Sequence, residues 1–293
     1  MVFRCAIWSR KLYGSISMRS ASTWIAKVGL HGILLLVALS MLFPLGWMLL
    51  LSLRRYPEQY DTLGALLTAP TTLANYTDLL QATSFGQYVF NSVLVSTAIT
   101  VGNVLFGFMA GYVLARFRFQ GKSLIEASVL AVLLIPLHVL MLPLYRMMVA
   151  VGWIDTYWAL ILPWLVGGLS VFMVRQYIES LPTALEDAAR LDGAGPWTVL
   201  FRITLPLARP VLLMVGLTSF LSHWNAFLFP FLFTQSDARR TLPVGLAFYI
   251  SKQTVDWGHL MAGAALAALP AIILFLLFRR LLIRGLLSGA LRE

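Results

Sequence analysis

Charged residues are sparse along this chain, and the gaps between them set its pattern. Six intervals between neighbouring charges, 28–53, 79–115, 127–145, 156–174, 210–236 and 257–278, run for 26, 37, 19, 19, 27 and 22 residues. An uncharged apolar run of about 18 residues is already enough to span a bilayer as a helix. The 37-residue interval is too long for one ordinary span, so only its part near 88–113 is expected to cross. The pattern predicts an all-α integral membrane protein with six transmembrane helices. It divides the chain into a basic tail (1–27), a first transmembrane helix (28–53), a loop (54–85), a core of five helices (86–283) and a closing tail (284–293). Within the core, residues 179–209 form a long polar loop between the fourth and fifth helices.

Composition agrees with a membrane protein. Of the 293 residues, 59% are hydrophobic and 12% charged, with mean hydropathy +0.82, whereas soluble domains carry about 25% charged residues. The net charge of +10 would suit nucleic acid, but its placement argues otherwise. With both termini cytoplasmic, sixteen of the 22 Lys and Arg residues fall in inside segments, the asymmetry of the positive-inside rule. The charge encodes orientation, and it places the loop 179–209 in the cytoplasm. The single cysteine, Cys5, allows no internal disulfide and no thiolate metal cage. Residues 1–27 hold no acid, five basic residues and several serines, which superficially resembles a transit peptide. The apolar run that follows far exceeds the about 7–15 residues of a signal-peptide core, so a basic cytoplasmic tail is the plain reading. Met18 offers a second possible start of translation.

The connections have their own character. Residues 54–85 read as an outside loop with one short amphipathic helix, RFRFQGK (116–122) as a tight inside turn, and GWIDTYW (152–158) as an aromatic interfacial link. Residues 234–258 read as a second outside loop. Prolines at 44, 136, 143, 163, 230 and 270 fall inside spans, where neighbouring helices can satisfy the carbonyls they free. Small residues in GNVLFGFMAG and MAGAALAAL suit close helix packing.

The polar loop holds the densest local signals. In PTALEDAARL, Thr183 and Glu186 have capping-box spacing, and Glu186 and Asp187 lie in the first turn, where the helix dipole favours acids. Leu185, Ala188, Ala189 and Leu191 give a narrow apolar side. Asp192-Gly193 stops the helix, since glycine accepts a left-handed backbone. Pro196 suits the first position of a second, amphipathic helix through Trp197, Leu200, Phe201 and Ile203, ending at Leu205-Pro206. A helix as short as the first is unstable alone in water and needs a surface. That surface is either the rest of the chain or a groove on a partner.

Other polar residues within the spans are candidates for a solute path. His138 in the third helix, Asn91 in the second, and His223, Trp224 and Asn225 in the fifth qualify. An indole beside an amide offers both a stacking face and hydrogen bonds. Histidine bonding to a neighbouring carbonyl, and asparagine bridging helices, are the alternatives. Gly121-Lys122-Ser123 ends like a phosphate-binding loop, but Arg116 stands where that pattern needs glycine, so no ATP site is expected on this chain. Glu126 lies within helical reach of Lys122.

EDAARLDGAGPWTVLFRITLP closely resembles the EAA motif of bacterial ABC-importer permeases, with Glu186, Ala188, Ala189, Asp192, Gly193, Ala194, Ile203, Leu205 and Pro206 matching the sugar-importer version. Asp187 stands where many members have alanine. FNSVLVS, AGYVLARFRFQGK, IPLHVLMLPLY, WIDTYWALILP, HWNAFLFP, TLPVGLAFY and RGLLSGA are similar to the MalG-like carbohydrate permeases, so the likeness runs over residues 35–290. Leu137-His138 departs from the glutamine that many members carry after the third-helix proline.

The resemblance implies the transmembrane domain of a type I ABC importer that moves a sugar, oligosaccharide or polyol. It implies a second homologous permease, two ATPase subunits that bind ATP and Mg, an extracytoplasmic solute-binding protein, and surrounding membrane lipid. No cofactor or metal is expected on this chain, which would not itself be an enzyme. Glu186, Asp187, Ala188, Ala189, Asp192, Gly193, Ala194, Leu205 and Pro206 would form the ATPase-coupling loop, with Glu186 bonding inside the ATPase cleft. Import of glycerol phosphate by the same architecture, an ion-coupled secondary transporter, and a membrane scaffold that recruits a soluble partner are the other readings. The second would need mid-membrane carboxylates, which the six uncharged runs do not supply.

Overall fold

The computed structural model describes the backbone of residues 16–250 and 255–290, and side chains over 27–82, 84–250 and 255–279. The expectations for residues 1–15, with Cys5, and for the closing basic side chains lie outside the described residues. Among the described residues every regular element is helical, save one isolated bridge between Ile250 and Val255. The all-α reading holds.

The first helix, α1 (Ile16–Ser52), is exposed over most of its described apolar side chains from Val28 to Leu49 and packs on the last helix of the chain. The loop after it is more ordered than the sequence suggested. It contains two helices, α2 (Leu63–Thr68) and α3 (Ala74–Gln81), where one was expected. Buried Arg54 ties this loop down by donating to the carbonyls of Leu66 and Leu67 at 2.9 and 3.0 Å. Arg55 meets Asp78 at 2.6 Å, and its hydrogen bond holds the Asp78 carboxyl below the usual aspartate range.

Most of the 37-residue interval forms one helix, α4 (Thr83–Arg116), while its first residues close α3. Its 34 residues extend for about 50 Å at 1.5 Å per residue, longer than the about 30 Å hydrocarbon thickness of a bilayer. The third expected span is different. It breaks into α5 (Lys122–Leu134) and α6 (Met141–Ala150), bent by 97° about Pro136. Proline pushes its predecessor out of the helical region, and Ile135 accordingly has φ −79°, ψ 120°. The expected single helix is therefore corrected to a bent pair. The fourth span, Tyr157–Glu179, joins α7 (Tyr157–Ile161) to α8 (Gly168–Glu179) through a tight turn at Leu162–Trp164.

The polar loop contains α9 (Ala184–Leu191). The expected separate second helix is also corrected. Residues Pro196–Trp224 make one continuous span: α10 (Pro196–Thr198), a π-helical segment (Val199–Thr204) and α11 (Leu205–Trp224). Proline removes a backbone donor and crowds the carbonyl four residues back. The wider π turns just before Pro206 absorb that misfit, so the helix continues where the sequence suggested a stop. The chain closes with α12 (Leu228–Phe233), α13 (Leu242–Ala247) and α14 (Trp257–Ala290). The described residues thus hold five helices able to cross a membrane, or six if the bent pair counts as one.

The centre of the bundle is α4 packed on α8 and α11, with Phe108, Tyr112, Val174, Ile178 and Val215 buried between them. Small residues permit this approach. A Cβ on Gly111 would lie 2.7 Å from Val174 Cγ1 and 3.0 Å from the Arg175 amide. Asn103 bridges the same pair of helices, donating to the Trp164 carbonyl at 2.7 Å and accepting from Gly167 N–H at 2.9 Å.

Gly111→Ala is expected to destabilise the bundle by about 1–3 kcal/mol through overpacking. Gly86→Ala, with nothing within 4 Å of the added carbon, is expected to be near neutral. Melting of the two variants in detergent, beside the unaltered chain, checks the difference.

Candidate functional site

The loop helix α9 starts without the expected capping box. Thr183 has a helical backbone (φ −73°, ψ −18°) and its side chain caps nothing. The reason is tertiary. Glu186 is turned inward, 2% exposed, and its Oε1 accepts from Arg116 Nε at 2.9 Å and from Thr204 Oγ1 at 3.2 Å. Arg116 also donates from Nη2 to the Leu181 carbonyl at 3.1 Å. A carboxylate buried here without a cation would be costly, so Glu186 is drawn to Arg116 and away from the exposed helix end. The expectation that Glu186 bonds inside a partner's cleft is corrected: its carboxylate is engaged within its own chain.

The far end of α9 forms as its residues predict. Gly193 has φ +85°, Ala194 N–H donates to the Ala189 carbonyl at 2.9 Å, and Gly193 N–H to Arg190 at 3.0 Å. This pair of bonds is the Schellman motif. Gly195 precedes Pro196, which opens the next helical span at its first turn. A fixed turn therefore separates α9 from the span that follows.

One edge that α9 turns outward is apolar. Leu185 and Ala188 are exposed, and Leu191 is 89% exposed. Across the turn, Trp197 and Phe201 stack with centroids 5.9 Å apart while remaining open. Asp187, Arg190 and Asp192 line the exposed polar edge, with Asp187 and Arg190 paired at 3.2 Å. Ala189, Ala194 and Leu205 are half-buried and Pro206 is exposed. Exposed apolar side chains on a polar loop are a feature of interaction surfaces.

The solute-path candidates separate. His223 and Ser222 line a cavity of about 140 Å³ between α4, α7, α11 and α12, with Trp164, Leu137 and Phe229 as walls. His223 Nδ1 lies 2.8 Å from the Ser219 carbonyl, which can only accept, so Nδ1 is the donor, and Nε2 has no hydrogen-bond partner among the described residues. Trp164 stands 6.3 Å from the His223 ring. His138 is exposed on the turn where the third span breaks, and Asn225 is exposed with its amide on its own Leu221 carbonyl.

The other two candidates are corrected. Asn91 is fully buried and holds the Ala238 and Arg240 carbonyls at 3.1 and 2.8 Å. Trp224, 2% exposed, gives its indole N–H to the Ala267 carbonyl at 2.9 Å. Their polar atoms serve the fold. Sequence reasoning missed Arg116, Thr204 and Trp164, which carry no local pattern. Lys122 does meet Glu126, at 3.6 Å, and Arg175 joins them at 3.1 Å.

Residues 103–288 match the family model of the binding-protein-dependent transport system inner membrane component. The arabinooligosaccharides transport system permease protein AraQ of Halalkalibacterium halodurans is 36% identical over 273 residues, 92% of this chain and 96% of that protein. The trehalose/maltose transport system permease protein MalG of Thermococcus litoralis is 33% identical, covering 88% of this chain and 94% of its own. A solved bacterial ABC transporter that imports the acidic polysaccharide alginate superposes with TM-score 0.78 at 19% identity, over 88% of this chain and 97% of the other, a likeness of fold. A sugar-permease motif, an all-helical bundle and long matches to carbohydrate permeases converge, and the chain belongs to the MalG-like carbohydrate branch of the binding-protein-dependent ABC transporter permeases of the bacterial inner membrane.

Proposed function

We propose that this chain is one of two permease subunits of an ATP-driven importer, that it crosses the membrane six times with both termini cytoplasmic, and that α9 docks on an ATPase subunit. The bent pair α5–α6 counts as one crossing in this reading. ATP and Mg belong to the ATPase subunits, a second permease completes the path, and an extracytoplasmic binding protein delivers the solute. Relatives named for arabinooligosaccharide and trehalose/maltose transport make an oligosaccharide the solute class of choice. Of the path candidates, His223 fits best, because its free Nε2 and the Trp164 ring share one cavity.

The observation that carries the reading is the exposed apolar edge of α9. An eight-residue helix cannot stand alone in water. Here it is pinned from behind by Glu186, set at a fixed angle by Gly193, and left open on Leu185, Ala188 and Leu191. That is the form of a plug awaiting a socket. A rocking bundle shifts with ATP only if the docked helix makes different contacts in the two states, and a rigid helix meets that requirement.

Leu191→Asp is expected to abolish co-elution of the ATPase with this chain in detergent while leaving the chain's own melting unchanged. Gly193→Val forces a β-branched residue into the left-handed region at a cost of about 1–2 kcal/mol. It is expected to abolish ATP-dependent uptake of arabinooligosaccharide, maltose or trehalose in vesicles at normal expression. Uptake that persists in Gly193→Val, or that follows an ion gradient without ATP, would contradict the proposal. Glu186→Gln leaves Arg116 buried without its anion, so it is expected to lower stability by about 3–5 kcal/mol, read as a lower melting temperature of the isolated chain.

A further inference from the structure

Three side chains on the buried side of α4 each grip a different part of the molecule. At one end Asn91 holds the carbonyls of Ala238 and Arg240 in the loop between α12 and α13. Midway, Asn103 holds the start of α8 through the Trp164 carbonyl and Gly167 amide. At the other end Arg116 holds Glu186 of α9 and the Leu181 carbonyl just before it. The helix joining these three points is unbroken over 34 residues. It is also packed closely at three successive glycines, since a Cβ added at Gly102, Gly107 or Gly111 would lie 2.5, 3.0 or 2.7 Å from Leu165, Ser170 or Val174. A packed helix of this kind moves as a body, because close-packed interiors transmit displacement instead of absorbing it.

We propose that Arg116 is the joint through which a movement of α9 enters the bundle, and that α4 is the rod that carries it to the loop 234–241 at the opposite end. The inference rests on the reading of α9 as the ATPase-docking helix. Arg116 acts through Glu186, so it is a positioning residue. Arginine suits the task because its planar fork reaches two acceptors at once, here a carboxylate on α9 and a main-chain carbonyl ahead of it. The pair is buried, with the side chains 8% and 3% exposed, so water does not compete for it. Thr204 adds a bond from the π-helical segment to the same carboxylate oxygen. One oxygen of Glu186 thus ties the docking helix to both helical spans beside it.

The test reads the far end directly and needs no solute. In the assembled transporter with Cys5→Ser, a single cysteine is placed at Ala238, which is exposed. Its maleimide labelling is followed with and without ATP, beside ATP hydrolysis by the same preparation. With Arg116 present, ATP is expected to change the labelling rate. With Arg116→Ala, hydrolysis is expected to persist while the ATP-dependent change shrinks by roughly tenfold, within the usual span of coupling between sites. Arg116→Lys, which keeps the charge but not the fork, is expected to restore part of the response. That rescue is something a merely structural role would not show. If Arg116→Ala fails to assemble, Arg116→Lys carries the test: a reduced response at unchanged hydrolysis supports the joint. An undiminished response in an assembled variant overturns it. A preparation in which the unaltered chain holds no ATPase would instead overturn the docking reading beneath it.

Discussion

A carboxylate buried at the edge of a membrane bundle must find a cation, and this fold is organised around Glu186 finding Arg116. The pair joins the end of the long central helix α4 to the eight-residue loop helix α9. Removing charge from water is expensive, and an ion pair in such a place need not add to stability over an apolar replacement of the same shape. What it does supply is a unique register. With Glu186 drawn inward, the three-to-four-residue rhythm of α9 turns Leu185, Ala188 and Leu191 outward, and the exposed apolar edge follows from the buried one.

The glycine turn and the π-helical segment complete the constraint. Gly193 lets the chain reverse out of α9 at φ +85° without strain. The wide turns at Val199–Thr204 then carry the backbone past Pro206 into a span that continues to Trp224. The polar loop is therefore continuous with the membrane helix on one side and ion-paired to a second on the other. Polar asparagines on the buried face of α4 extend the same logic through the bundle, where an amide satisfied by main-chain carbonyls locks a helix without leaving a charge in lipid.

The sequence was most legible where the physics is local or imposed by lipid. Hydropathy found the spans because a bilayer demands uncharged length, and Asp192-Gly193 marked the end of α9 because few residues but glycine accept that backbone. Hydropathy counts length and says nothing of direction, so the 97° turn at Pro136 was invisible to it. The capping box at Thr183 failed because Glu186 had a stronger partner seventy residues upstream, which no local pattern reveals. Asn91 and Trp224 look like a sugar site in a string of letters, yet an amide or indole buried between helices has the same chemistry. Only the packing decides which it is, and here it puts them on the Arg240 and Ala267 carbonyls. Trp164 was missed for the converse reason: an aromatic beside a proline in an apolar run carries no mark of the cavity it lines.

The account stands on α9 meeting an ATP-hydrolysing subunit through its apolar edge. The most direct measurement is photocrosslinking in living cells from an unnatural residue at Leu191, the most exposed apolar side chain on that edge. The account predicts one dominant adduct with an ATPase subunit, with its yield changing when ATP is depleted. Adducts confined to lipid or to this chain itself, indifferent to ATP, would contradict it.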